Sequence, residues 1–155
     1  MTSTTSGELR TDMAGLPGAA GATLGPTDWV VMTQDQVNRF ADLTNDYNFI
    51  HVDPERAKDT PFGGTVAHGF LSLAMLPAIG QLLQVSDAAM VVNYGLDKVR
   101  FPAPLPVGAR WRCHGEIAAV GEVKGGVQVK LVATIEVEGS ERPTVAAECL
   151  VRFYA

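Results

Sequence analysis

Hydrophobic and polar residues alternate along three stretches in the second half of the chain. Apolar side chains occupy nearly every second position over residues 111–119, 127–137 and 145–153. A side-chain period of two is typical of long antiparallel strands that bury one face. The Gly125–Gly126 pair and residues 138–140 supply the reversals between them. The pattern also predicts a strand at about residues 90–101 and an edge strand at residues 29–32.

One segment before these strands has a different pattern. Residues 69–83 read GFLSLAMLPAIGQLL, which predicts a helix with apolar residues on every side. Such a helix is buried all round, and Pro77 should kink it or break it in two. One buried helix and one long antiparallel sheet predict an α+β fold, in which a curved sheet wraps a long central helix. This arrangement is called a hot-dog fold.

Two shorter helices are predicted in the first half of the chain. Residues 33–36, Thr-Gln-Asp-Gln, form a capping box at the start of the first helix, which should end near Leu43 because residues 44–46 favour a turn. Asp53 and Pro54 begin the second helix as its N-cap and first residue. Residues 1–12 are rich in Thr, Ser and Gly and are expected to form a disordered tail. Residues 13–155 are expected to form one domain.

The composition narrows the range of functions. The chain has 155 residues, of which 19% are charged, and a net charge of −5 without a Lys/Arg cluster, so nucleic acid is not an expected partner. Cys113 and Cys149 are too few for a disulfide framework or a zinc site. No secretory segment is apparent, and the longest apolar run, residues 70–79, is far shorter than the roughly 20 residues that span a bilayer. We therefore expect a cytoplasmic protein with no membrane partner.

Candidate catalytic residues gather between positions 46 and 69. Asp46 and His51 lie on a loop between two predicted helices, and a carboxylate beside an imidazole suits proton transfer to and from water near neutral pH. The backbone N–H of Gly69, at the start of the buried helix, is an orphan donor suited to a carbonyl oxygen that gains negative charge. The Gly63–Gly64 pair gives the backbone freedom to approach a ligand, which makes Gly64 a candidate binding residue.

The same region resembles the MaoC-like, (R)-specific enoyl-CoA hydratase family, whose motif is Asp-x-Asn-Pro-x-His-x-Asp followed by Ala-His-Gly. The similarity is greatest to the short, nodulation-protein-N-like members, and residues 96–108 also resemble the family's strand and Pro-rich turn. The chain departs from the motif at Asn45, where the family often has Gly, and at Phe49, which replaces the Pro. The matching residues are Asp46, Asn48, His51, Asp53, Ala67, His68 and Gly69.

The resemblance implies reversible addition of water to a trans-2-enoyl thioester, giving an (R)-3-hydroxyacyl thioester. Asp46 and His51 would hold the water, and the Gly69 N–H would stabilise the thioester oxygen. Asn48 and His68 would support the loop, and no metal or redox cofactor is implied. The substrate would be carried by coenzyme A or acyl carrier protein, in a tunnel that passes Phe49, Leu71 and Met75. A homodimer is expected, because pairing would cover the exposed edge of the sheet.

Several alternatives stay open from the residues alone. Asp46 alone fits a turn residue, and His51 alone fits a structural histidine. A metal site of His51, Asp53 and His68 has suitable ligand types, although Asp53 is better explained as an N-cap. A hot-dog thioesterase would need an acid near the central helix, and residues 69–83 contain none. A non-catalytic partner subunit of a heteromeric dehydratase would lack the Asp/His pair.

Lys98 and Arg100 are a further candidate binding pair. They alternate with apolar neighbours and therefore share one face of the predicted strand at residues 90–101. Such a pair occurs at solvated sheet edges and in structural ion pairs, and it also suits contacts to the phosphates of a coenzyme A-type carrier.

Overall fold

The computed structural model describes residues 3–5 and 7–155. In chain order its strands are β1 (Ser3–Thr5), β2 (Glu8–Thr11), β3 (Thr23–Leu24), β4 (Val30–Val31), β5 (Leu83–Val85), β6 (Met90–Arg100), β7 (Arg110–Val123), β8 (Gly126–Val137) and β9 (Val145–Tyr154). Its α-helices are α1 (Gln34–Thr44), α2 (Phe49–Val52), α3 (Pro54–Ala57) and α4 (Gly69–Ala74). Two 3₁₀ helices cover Leu16–Ala19 and Leu76–Leu82.

The main sheet has the strand order β3-β7-β8-β9-β6, and β4 pairs with β7 beside β3. All of these pairings are antiparallel. Alternate residues of β8 are buried, as the period of two predicts, and β7 and β9 bury their apolar residues on the same side. The predicted strands are confirmed, and so are the reversals around Gly125 and Gly139, which both have positive φ.

The apolar segment packs against the inner face of this sheet and breaks where Pro77 predicts. Helix α4 ends at Ala74, and the 3₁₀ helix Leu76–Leu82 continues the path. Proline cannot donate the backbone hydrogen bond that an α-helix needs, so an α-helix does not continue through it. Leu71, Leu76 and Ile79 are buried in the core. The α+β architecture is confirmed, although its central helical segment is two short elements rather than one long helix.

The predicted helix signals in the first half are also confirmed. The hydroxyl of Thr33 accepts a hydrogen bond from the Gln36 backbone N–H, and the Gln36 side-chain oxygen accepts one from the Thr33 N–H, completing the capping box of α1. The side chain of Asp53 accepts from the backbone N–H of Arg56 as the N-cap of α3. The one-turn helix α2 is an addition to the predicted loop, and the Asn48 side chain caps it.

The N-terminal segment differs from the expected disordered tail over residues 1–12. Strand β2 pairs in parallel with β5, and β1 pairs antiparallel with β2 to complete a second, three-stranded sheet. Leu9 is 1% exposed. Burial of this apolar side chain stabilises the ordered strand, even though the residues around it are polar. Residues 1, 2 and 6 of the expected tail lie outside the described residues. Among the described residues, no helix has both the length and the apolar character needed to cross a bilayer.

Candidate active site

The structure brings the predicted acid–base pair together with a third residue. Asp46 follows Asn45, whose left-handed conformation (φ 58°) ends α1. His51 lies in α2, and His68 is the residue before α4. One carboxylate oxygen of Asp46 and one ring nitrogen of each histidine lie within 4.8 Å of one another. Three separate helix ends therefore converge on one point.

His51 is held in a defined orientation. Its ring is 8% exposed, and its Nδ1 lies 2.7 Å from the carbonyl oxygen of Val66. A carbonyl oxygen only accepts, so we assign the proton to Nδ1, which leaves Nε2 of the neutral ring as an acceptor. Burial lowers the pKa of His51 below its ordinary value, and His68 adds to this effect, while the Val66 carbonyl and Asp46 oppose it. His51 is therefore suited to accept a proton at neutral pH.

His68 connects the other two residues of the site. It is 2% exposed, and its ring stacks on that of His51 with centroids 3.9 Å apart. Its Nε2 lies 3.0 Å from the backbone carbonyl oxygen of Asp46 and donates to it. Its Nδ1 has no hydrogen-bond partner among the described residues. His68 thus contacts both the Asp46 backbone and the His51 ring.

Asp46 is exposed, in contrast to the two histidines. Its Oδ1 accepts a hydrogen bond from the backbone N–H of Asn48 at 3.3 Å, and the Asn48 side chain accepts from the N–H of Ile50 at 3.4 Å. These contacts fix the turn between α1 and α2. They leave the second carboxylate oxygen of Asp46 available to a ligand.

Gly69 begins α4, where the first backbone N–H groups have no partner inside the helix. A Cβ at this position would lie 2.9 Å from the ring of Phe101. A glycine therefore allows Phe101 to pack directly against the start of α4. Sequence reasoning missed Phe101, whose only signal was an aromatic residue at the end of a predicted strand.

The other predicted binding residues are Gly64, Phe49, Lys98 and Arg100. Nothing crowds the position of a Cβ at Gly64. The ring of Phe49 packs under the guanidinium of Arg56, whose carbon lies 4.2 Å from the ring centroid. Lys98 and Arg100 are exposed on β6, opposite the face on which Val99 packs against the core.

An apolar cavity of about 600 Å³ lies between the central helical segment and the sheet. Leu73, one turn after Gly69, lines it together with residues of the 3₁₀ helix and of β6, β8 and β9. Cys149 also faces this space, and burial raises the pKa of its thiol. Leu71, Met75 and Phe49 do not line the cavity, in contrast to the predicted tunnel. The face of the central helical segment that lines the cavity is therefore not the face that the sequence predicted.

The Asp46, His51 and His68 cluster has the residue types of a metal site but not the geometry of one. The two imidazole planes are inclined by only 27° and face each other. Ring-nitrogen lone pairs lie in the ring planes, so two stacked rings do not direct them at one ion about 2.0–2.1 Å from each. Asp53, the third ligand of the alternative metal site, caps α3 instead.

The sequence identifies the family of this fold and site. A model of the MaoC like domain matches residues 16–139. The chain belongs to the MaoC-like domain family. It is 50% identical over 145 residues to the 3-hydroxyacyl-thioester dehydratase Z of Mycobacterium tuberculosis, covering 92% of this chain and 96% of that protein. It is 38% identical over 140 residues to nodulation protein N of Rhizobium leguminosarum, covering 87% of this chain and 86% of that protein.

A solved structure confirms the fold of this MaoC-like chain. An (R)-hydratase from A. caviae superposes with a TM-score of 0.69 at 23% identity, covering 85% of this chain and 94% of that protein. The predicted hot-dog fold is thus confirmed, and so is the predicted similarity to nodulation-protein-N-like members.

Proposed function

We propose that this chain is an (R)-specific enoyl-CoA hydratase, which adds water reversibly to a trans-2-enoyl thioester. The observation that carries the proposal is the convergence of the Asp46 carboxylate and two imidazole rings within 4.8 Å. Similarity to a 3-hydroxyacyl-thioester dehydratase supports the same reaction class. The apolar cavity beside α4 suits an acyl chain, because the pockets that bind small molecules are mostly apolar, although none of Asp46, His51 and His68 lines it.

His51 acts as the base in the proposed hydration. Its Nε2 takes one proton from a water molecule while the water oxygen forms a bond to C3 of the enoyl group. The electron pair of the double bond moves toward the thioester carbonyl, whose oxygen accepts a hydrogen bond from the Gly69 N–H. The imidazolium then returns a proton to C2, so that water is added and the enzyme is unchanged.

Asp46 supports both halves of this reaction. Its carboxylate accepts a hydrogen bond from the same water molecule and orients the oxygen toward C3. It also stabilises the imidazolium that forms on His51, because opposite charges attract strongly in a partly buried site. Dehydration of the 3-hydroxyacyl thioester follows the same steps in reverse.

A second copy of the chain is the proposed partner. Strand β6 lies at the edge of the main sheet and carries exposed apolar side chains, including Met90, Val91 and Tyr94. Edge strands of this kind are usually covered, and a homodimer covers them symmetrically. Light scattering should show a dimer that Met90→Lys weakens and Val132→Lys, on the exposed face of β8, does not. A wild-type monomer at micromolar concentration would contradict this proposal.

Three points stay predictions from the sequence. They are the phosphate contacts of Lys98 and Arg100, a substrate carried by coenzyme A or acyl carrier protein, and a cytoplasmic location. Lys98 and Arg100 are both exposed and able to reach a carrier that approaches the sheet from outside. A raised KM in Lys98→Ala or Arg100→Ala, with kcat unchanged, would support the phosphate contacts.

The proposed reaction is tested by incubating the purified chain with trans-2-enoyl-CoA. We expect loss of the enoyl absorbance, formation of the (R)-3-hydroxyacyl product on chiral analysis, and no release of free thiol. Release of coenzyme A without hydration would indicate a thioesterase instead. Absence of both activities in a folded protein would refute the proposed function.

A further inference from the structure

The N-terminal strand β2 supports one wall of the apolar cavity. Strand β5, which follows the 3₁₀ helix Leu76–Leu82, contributes Leu83 and Val85 to the cavity lining. Its partner in the described part of the chain is β2, in a parallel register that places Leu9 beside Leu83 and Thr11 beside Val85. Because Leu83 follows the whole central helical segment, this wall lies at the opposite end of that segment from Gly69.

The paired side chains of β2 and β5 share one face. Directly opposed residues of parallel strands point to the same side, and residues two apart on a strand do so as well. Leu9, Thr11 and Leu83 are all buried, whereas Arg10 and Gln84, the pair between them, are exposed. Leu9 and Thr11 therefore lie beside the two residues that line the cavity, on the same face of the sheet, and do not line it themselves.

Two hydrogen bonds hold the N-terminal segment against the residues that follow β5. The N–H of Ser86 donates to the carbonyl oxygen of Thr11 at 2.9 Å, and the N–H of Met13 donates to the Asp87 carboxylate at 2.7 Å. Strand β5 is only three residues long, and a strand of that length depends on a partner for its position. Strand β2 lies outside residues 16–139, the part that matches the family model.

We infer that Leu9 determines the acyl chain length that the cavity accepts, by holding Leu83 in the cavity wall farthest along the central helical segment from Gly69. Leu9 is a positioning residue, because it pairs with Leu83 and does not line the cavity itself. This inference rests on the proposed function, since it assigns the cavity to the acyl group of the substrate. Removal of the Leu9 side chain lets Leu83 retreat and deepens the cavity. A deeper apolar pocket favours longer acyl chains.

The test compares kcat/KM for four-carbon and twelve-carbon enoyl-CoA substrates in Leu9→Ala and in Leu24→Ala. Leu24 is a matched control, because it is also a leucine at 1% exposure, lies in a short strand of the same core, and does not line the cavity. One added methylene in an apolar pocket changes kcat/KM by about 10–200-fold. We expect Leu9→Ala to raise the ratio of twelve-carbon to four-carbon kcat/KM about tenfold, and Leu24→Ala to leave it unchanged.

A second variant keeps the inference testable if Leu9→Ala does not fold. Leu83→Phe enlarges the wall itself and should lower the same ratio while four-carbon activity persists. An unchanged ratio in a folded Leu9→Ala, an equal change in Leu24→Ala, or an unchanged ratio in Leu83→Phe would overturn the inference. Hydration of the four-carbon substrate by the wild-type protein tests the proposed function separately. Failure of the proposed function is therefore distinguishable from failure of the inference about Leu9.

Discussion

The imidazole rings of His51 and His68 stack with their centroids 3.9 Å apart, and the Nδ1 of His51 donates to the backbone carbonyl of Val66. His68 also donates a hydrogen bond to the backbone carbonyl of Asp46. The two proposed acid–base residues are thus held by a third side chain, whose Nδ1 is buried and has no hydrogen-bond partner among the described residues. This hydrogen bond from His68 joins the loop at residues 46–48 to the segment at residues 67–69.

Replacing His68 by Ala should lower kcat about tenfold with little change in KM. The expected loss corresponds to about 1.4 kcal/mol, the usual value of one buried hydrogen bond. The acidic limb of the pH–rate profile should also move to higher pH, because His68 contributes to the lowered pKa of His51. His68→Gln, which retains a donor toward the Asp46 carbonyl, should recover part of kcat. An unchanged pH profile in folded His68→Ala would contradict the positioning role.

The stability of the protein should depend on pH through His51. Burial lowers the pKa of His51 in the folded state below its ordinary value of 6.5. The unfolded chain therefore binds more protons below that pH, and the free energy of unfolding falls as the solution is acidified from pH 6.5. Urea titrations should show a smaller decrease in His51→Gln than in wild type.

Gly69→Ala should destabilise the fold through one defined contact. The new Cβ would lie 2.9 Å from the Phe101 ring, and overpacking of this kind costs about 1–3 kcal/mol. Because Phe101 is 42% exposed, its ring has room to move, and we expect a cost near 1 kcal/mol. In a double-mutant cycle of urea titrations, Gly69→Ala should cost less in a Phe101→Ala background. Equal costs in the two backgrounds would exclude the clash.

Much of the fold was predictable because its signals are local. The capping box at Thr33, the N-cap at Asp53 and the break at Pro77 each act within a few residues. The alternating strands are equally clear because one face of the sheet is buried along its whole length. Family resemblance identified Asp46, His51 and Gly69, and the structure places the first two together with His68.

The features that the sequence did not predict are contacts between distant segments. The pairing of Leu9 with Leu83 joins residues far apart in the chain, and a polar N-terminal composition gives no sign of it. The contact between Gly69 and Phe101 and the stacking of the two histidines are of the same kind. The 3₁₀ form of Leu76–Leu82 likewise depends on packing against the sheet, which decides the face that the cavity meets.

The most direct test of the proposed mechanism is crotonyl-CoA hydration by Asp46→Asn and His51→Ala. Asp46→Asn keeps an oxygen to accept from the Asn48 N–H, so the turn should persist while the negative charge is lost. Asp59→Asn and His114→Ala are matched controls at exposed or half-exposed positions. We predict that each site variant loses at least about 100-fold in kcat with an unchanged circular dichroism spectrum, and that the controls keep wild-type rates. A near-normal rate in either Asp46→Asn or His51→Ala would contradict the account.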